Sequence, residues 1–203
     1  MTIWDYFLES SIGNDEAVAD LRAWMKAMIL AGRDPGSNLA PEKLLLLYSP
    51  APAGKSLLLG LLQQLVPVAG MLCVKDLMNL REYGDMLRSL RLLAIADICS
   101  LHPRGSNAGG FEKVAWFIKL SLGHECLFYR KRHGAMTCFK PNFAIAAVCN
   151  SIPEFILGPQ GSPVGRRLMM IRMRPVKREA MDPELLTGLL SYSEHIKQWA
   201  LDA

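Results

Sequence analysis

The stretch Lys43–Val66 reads KLLLLYSPAPAGKSLLLGLLQQLV, and its order decides the fold. An apolar run, Lys43–Tyr48, predicts a short buried strand. The loop Ser49–Ser56 (SPAPAGKS) follows, then an apolar helix over Ser56–Val66. A buried strand, a tight loop and a helix whose first N–H groups face outward together make an anion cradle. Gly54 lets the backbone approach a phosphate. Lys55 supplies positive charge to β- and γ-phosphates, and Ser56 offers its hydroxyl to Mg²⁺. The expected nucleotide-contacting residues are Ser49, Pro50, Ala51, Pro52, Ala53, Gly54, Lys55, Ser56 and Leu57. One element departs from the usual pattern, because Ser49 stands where a glycine is customary.

Downstream, apolar runs alternate with helical patterns. Asp76–Leu90 reads as an amphipathic helix, and Phe111–Leu122 as a helix. Met71–Val74, Leu92–Ala96, Phe143–Cys149 and Leu168–Met173 read as strands. Such alternation predicts an α/β fold with a central, mainly parallel sheet, a P-loop NTPase. Before it, Trp4, Phe7 and Leu8 form a short apolar face, and Val18 to Ile29 a longer one at helical spacing. Gly32–Pro41 is rich in turn formers and reads as a linker. Pro183–Leu201 reads as a closing helix. The expected organisation is a helical segment and linker over 1–40, the ATPase core over 41–175 and a helical tail over 176–203.

Composition narrows the setting. The chain has 203 residues, 51% of them hydrophobic and 21% charged, enough for a sizeable core. A net charge of +4 is only mildly basic. The five cysteines form no CxxC pair, which argues for reduced thiols and against zinc. There is no signal-peptide pattern, and no apolar run approaches the ~20 residues that span a bilayer. A cytoplasmic location, away from membranes, is therefore expected.

Phosphate-loop ATPases hold Mg²⁺ through an acid at the end of a neighbouring strand, and a second acid activates water. Asp97 ends the run LLAIAD and is the only acid there, since Ile98 follows. Asn150 ends FAIAAVC. It reads equally as a sensor that orients the attacking water and as a turn asparagine. Arg130, Lys131, Arg132 and His133 cluster at the tip of an expected hairpin. Like charges there repel unless a polyanion meets them, so nucleic-acid phosphates are the natural partner. Arg166 and Arg167 precede a strand. They suit either an arginine reaching a neighbouring subunit's γ-phosphate or an ordinary surface pair.

The order of these pieces resembles superfamily three helicases, in the branch of phage, plasmid and poxvirus-type primase-helicases. The residues that carry the resemblance are Ile118–Lys119 and Gly123 before the basic hairpin, then Phe139–Pro141, then Asn150 with Pro153, then Arg166 and Arg167. Trp4–Leu30 resembles the helical segment before the motor in that family, and Asp182–Leu201 the helix after it.

The resemblance implies an AAA+-type core that binds ATP and Mg²⁺ between subunits of a hexameric homo-oligomer. It implies hairpins that draw single-stranded DNA through a channel, and a primase or other replication protein as partner. The expected function is an ATP-dependent DNA helicase motor replicating a phage, plasmid or other mobile element. The alternative is a degenerate ATPase that binds nucleotide and DNA as a loader or regulatory subunit, because Asp97 lacks a paired acid. Glu112 and Glu125 are possible substitutes. A metabolic kinase fits less well, since the hairpin and Asn150 follow a motor's order.

Overall fold

A computed structural model describes residues 2–33, 40–77, 79–98, 108–130, 134–152, 164–175 and 183–202. The apolar runs form five parallel strands: β1 (Leu44–Tyr48), β2 (Ala69–Leu72), β3 (Leu92–Ile95), β6 (Ala144–Cys149) and β7 (Leu168–Arg172). Two more, β4 (Leu127–Arg130) and β5 (Met136–Phe139), pair antiparallel as a separate hairpin. The sheet order is β2-β3-β6-β1-β7. β6 therefore lies between β1 and β3, in register Leu45↔Ala146 and Ala94↔Ala146.

The predominantly apolar strands have a simple cause. Successive side chains point to opposite faces, and both faces are covered by helices. Leu45 and Leu47 join one buried cluster, whereas Leu44 and Leu46 join another. The first cluster contains residues of α1 (Ile3–Ser11), α2 (Asp15–Arg33), α3 (Lys55–Gln64), α7 (Pro183–Ser191) and α8 (Ser193–Leu201). The second contains residues of α4 (Val74–Leu77), α5 (Leu80–Ser89), α6 (Ala108–Leu122) and the hairpin.

The first helices are capped as their sequence dictates. Thr2 accepts from the Asp5 N–H at 3.1 Å while Asp5 accepts from the Thr2 N–H at 2.8 Å, closing a capping box. Trp4 packs edge-on against Trp199, with ring centroids 5.3 Å apart. Arg22 lies 4.9 Å over the same Trp199 ring and donates to its carbonyl at 2.8 Å. The two ends of the chain are thus fastened to each other.

Three sequence expectations shift. The helix expected over Asp76–Leu90 is two helices. The Asp76 carboxylate accepts from the Cys73 N–H at 2.9 Å and so caps a first short turn, and α5 starts afresh after Asn79. The strand expected at Met71–Val74 begins earlier, at Ala69, because β2 pairs with β3 from Ala69↔Leu92 onward. Gly70 permits that start, since a Cβ there would lie 3.0 Å from the Leu90 side chain. The closing helix breaks at Tyr192, whose N–H is shared between the Gly188 and Leu189 carbonyls. No described helix is long and apolar enough to cross a membrane.

The hairpin is seated on α5 through Tyr129. Its ring fills the space over Gly84, where a Cβ would come within 2.3 Å of it, and its hydroxyl donates to Asp85. Glycine to alanine within a helix ordinarily stabilises by up to ~1 kcal/mol. Gly84→Ala should do the reverse, by roughly 1–3 kcal/mol, because it overpacks this contact. Urea unfolding reads the sign directly.

Candidate nucleotide site

The loop Ser49–Gly54 leaves the C-terminal end of β1 and feeds α3 at Lys55. Gly54 adopts φ +75°, the left-handed conformation that only glycine enters without strain. A Cβ there would also stand 3.1 Å from the Phe7 ring. Ser49, by contrast, has no left-handed φ, so its backbone conformation does not call for glycine. Ser49 is fully buried. Its N–H donates to the Cys149 carbonyl at 3.3 Å, tying the loop to β6. Its hydroxyl accepts from the Ala51 N–H at 3.4 Å, a contact glycine could not make.

Lys55 is folded into its own loop. Its ammonium donates to the Ser49 carbonyl at 2.8 Å and to the Ala51 carbonyl at 3.0 Å. Burial pushes its pKa below the ordinary lysine value, opposed by a weaker pull from the Cys149 thiol. Two carbonyl oxygens thus hold a buried cation through charge-assisted hydrogen bonds.

A cavity of about 460 Å³ opens over the loop. Pro50 to Leu57 line it, and among the described residues Asn150 is the one that joins them from another part of the chain. The sheet order accounts for that meeting. β6 runs beside β1 in the same direction, so the residue after β6 emerges beside the loop after β1. Ser56 is exposed at this cavity.

Asp97 follows β3, one strand further along the same edge, and is exposed. Its φ of +54° is unusual for a non-glycine residue and tolerable for an aspartate. It is not among the cavity-lining residues. Neither are Glu112 and Glu125. Among the described residues no group of three His, Cys, Asp or Glu side chains could hold a metal ion. Magnesium needs less than that from a protein, because it keeps waters and takes substrate phosphates. An exposed hydroxyl at the cavity and an exposed carboxylate on the same sheet edge are hard oxygen donors of the kind it accepts.

The arginine pair divides. Arg166 is exposed. Arg167 is half-buried, and its guanidinium donates to the Lys119 carbonyl at 2.7 Å. That carbonyl also accepts from the Gly123 N–H at 3.0 Å, so Arg167 caps the C-terminal end of α6. A Cβ on Gly123 would lie 2.9 Å from Arg167 Nη1, which explains a glycine at that turn. His124, at φ +50°, then sets its Nδ1 3.0 Å from the Pro141 carbonyl, joining the turn to the segment that enters β6. The motif Lys119…Gly123 is thus a helix end clamped by Arg167. Of the basic cluster, Arg130 is described and exposed, with Nε donating to the Gly134 carbonyl at 3.4 Å. Lys131, Arg132 and His133 lie outside the described residues, as does Pro153.

Sequence reading passed over two contributors. Phe7 and Ser11 of α1 back the loop at Gly54, yet in sequence they look like ordinary members of an apolar helix face. Only the tertiary contact gives them a role.

No protein-family model matches the sequence, and no curated protein matches it as a relative. Solved structures do match. The apo structure of the NrS-1 C-terminal region in its A form aligns over 99% of this chain with a TM-score of 0.71 and 14% identity. A second apo structure of that region (305–718) aligns with a TM-score of 0.70 and 13% identity. This chain has the fold of the NrS-1 C-terminal region. It covers 45% of the length of either structure. The likeness bears out the fold alone, the α/β arrangement with a central, mainly parallel sheet. A crystal structure of JCV helicase aligns over 89% of the chain at 16% identity, with a TM-score of 0.47 too low to carry an argument.

Two outcomes are expected here. A lysine whose folded pKa is depressed binds fewer protons folded than unfolded in the window below about 10.5. Its contribution to stability therefore rises as pH climbs through the depressed value towards 10.5. The difference in unfolding free energy between wild type and Lys55→Met, followed by urea titration from pH 8 to 10.5, should grow in favour of wild type. Arg167→Ala should destabilise the protein by about 1–2 kcal/mol through the lost α6 cap, and Arg166→Ala by less than ~0.5 kcal/mol. Thermal unfolding of the two variants distinguishes them.

Proposed function

We propose that the chain is the ATPase motor of a superfamily three-type helicase that translocates on single-stranded DNA, replicating a phage, plasmid or other mobile element. The observation that supports this most is the cavity over the loop, where Lys55 and Ser56 meet Asn150 from the neighbouring parallel strand. Generic nucleotide binding needs only the loop. A polar amide facing it across the cavity suits a site that distinguishes ATP from ADP.

In this reading the backbone of Ser49–Gly54 and the N-terminus of α3 hold the phosphates. Lys55 leaves the Ser49 and Ala51 carbonyls to meet β- and γ-oxygens. Ser56 and Asp97 would hold Mg²⁺, which when bound neutralises charge on the bridged phosphates. Asn150 orients the attacking water. Arg166, the exposed member of its pair, reaches a neighbouring subunit's nucleotide in a homo-oligomeric, hexameric ring. Arg130, Lys131, Arg132 and His133 contact DNA, and a primase or other replication protein is a further partner.

A second reading has its own support. Asp97 lies outside the cavity lining and Ile98 follows it where a second acid could stand, and that favours a degenerate ATPase that binds nucleotide and DNA as a loader or regulatory subunit.

Steady-state ATP hydrolysis with and without a single-stranded oligonucleotide separates the two. The motor should turn over faster with DNA, and Lys55→Ala should lower that turnover by about 10- to 100-fold by removing charge-assisted phosphate contacts. Tight ATP binding without DNA-stimulated turnover would discard the motor and leave the loader.

A further inference from the structure

We infer that the outer face of the β4–β5 hairpin is a base-stacking platform for single-stranded nucleic acid, with Phe128 as the ring that receives a base; this rests on the DNA-binding part of the function proposed above.

The hairpin has two unlike faces. Leu127, Tyr129 and Phe139 turn inward and are buried, with the Tyr129 and Phe139 rings edge-on at 5.9 Å. The register pairs Phe128 with Cys138 and Arg130 with Met136, which puts these four on the opposite face. All four are exposed. Phe128 is 59% and Met136 65% accessible, among the most open of the large apolar residues. One exposed apolar residue is ordinary, but three neighbouring positions of one small face holding Phe, Met and Cys are not explained by folding. Nothing in the hairpin's own stability calls for them, since the inner face and the Tyr129–Asp85 contact already fix it to α5.

Charge selects the occupant. Arg130 stands on this face, and the sequence continues into Lys131, Arg132 and His133. A second copy of the same hairpin laid on it would bring like charges together. A polyanion with flat π-faced bases satisfies both halves of the surface. Residues two apart on a strand are about 7 Å apart, so one nucleotide can lay its base on Phe128 and its phosphate at Arg130. Met136, opposite Arg130, adds a soft, adaptable edge that tolerates any base. The platform is therefore expected to be insensitive to sequence.

The test is anisotropy of a fluorescent oligo(dT) at several salt concentrations, with oligomer mass measured on the same samples. Stacking carries no counterions, whereas a phosphate contact does. Phe128→Ala should weaken binding about 10-fold without changing the salt slope, and Phe128→Trp should restore it. Arg130→Ala should instead reduce the slope by about 0.7. Bound oligo(dT) should also slow alkylation of Cys138, an exposed native thiol opposite Phe128. Unchanged affinity in Phe128→Ala would overturn the platform while leaving DNA binding intact. Affinity lost only in step with loss of oligomer would assign the face to contact between copies and overturn it too. Wild-type protein that binds no oligo(dT) at low salt would defeat the DNA-binding reading itself, and the platform with it.

Discussion

The alignment of β1, β6 and β3 side by side and all in one direction is the constraint on which the rest depends. Parallel strands end on the same edge, so whatever follows each strand is delivered to one place. Here that edge receives the loop Ser49–Ser56, Asn150 and Asp97. β6 can occupy the middle position because it is apolar on both faces, with alanines at 144, 146 and 147 that let helices approach closely. A strand with a polar face there would bury unpaired groups at a cost of several kcal/mol. The Ser49 N–H bond to Cys149 then ties the loop to the end of β6, the strand that Asn150 follows.

Much of this was legible in the sequence. The strand–loop–helix order at Lys43–Val66 fixed the place of the loop, and apolar runs marked all five sheet strands. What the residues could not show was how far each polar strand-end residue lies from the loop. Asn150 and Asp97 look alike in sequence, each closing an apolar run. Only Asn150 lines the cavity, because β6 is adjacent to β1 and β3 is one strand removed. The same limit applies to Arg166 and Arg167. Adjacent in sequence, they diverge because a short 3₁₀ turn over Gly165–Arg167 sends them in different directions. One caps α6 and the other stays exposed. Helix breaks at Asn79 and Tyr192 were also hidden, because the apolar periodicity continues through them.

The clamp on α6 ties distant parts together. Arg167 holds the carbonyl end of α6, and the turn after it leads directly into β4 and touches, through His124, the segment entering β6. A rearrangement near the arginine turn would therefore reach the hairpin and the Asn150 strand through one short turn rather than through the whole sheet. Such a link is a physical route and becomes coupling only if the turn has two arrangements.

We propose that Lys55 is stored on its own loop and transferred to nucleotide. The most direct measurement is a crystal structure with Mg²⁺ and a non-hydrolysable ATP analogue. The β- and γ-phosphates are expected in the cavity over Ser49–Ser56, with Lys55 Nζ moved from the Ser49 and Ala51 carbonyls onto their oxygens and Asn150 facing the γ-phosphate. Phosphates bound elsewhere, or a Lys55 that keeps both carbonyl contacts with nucleotide present, would contradict it.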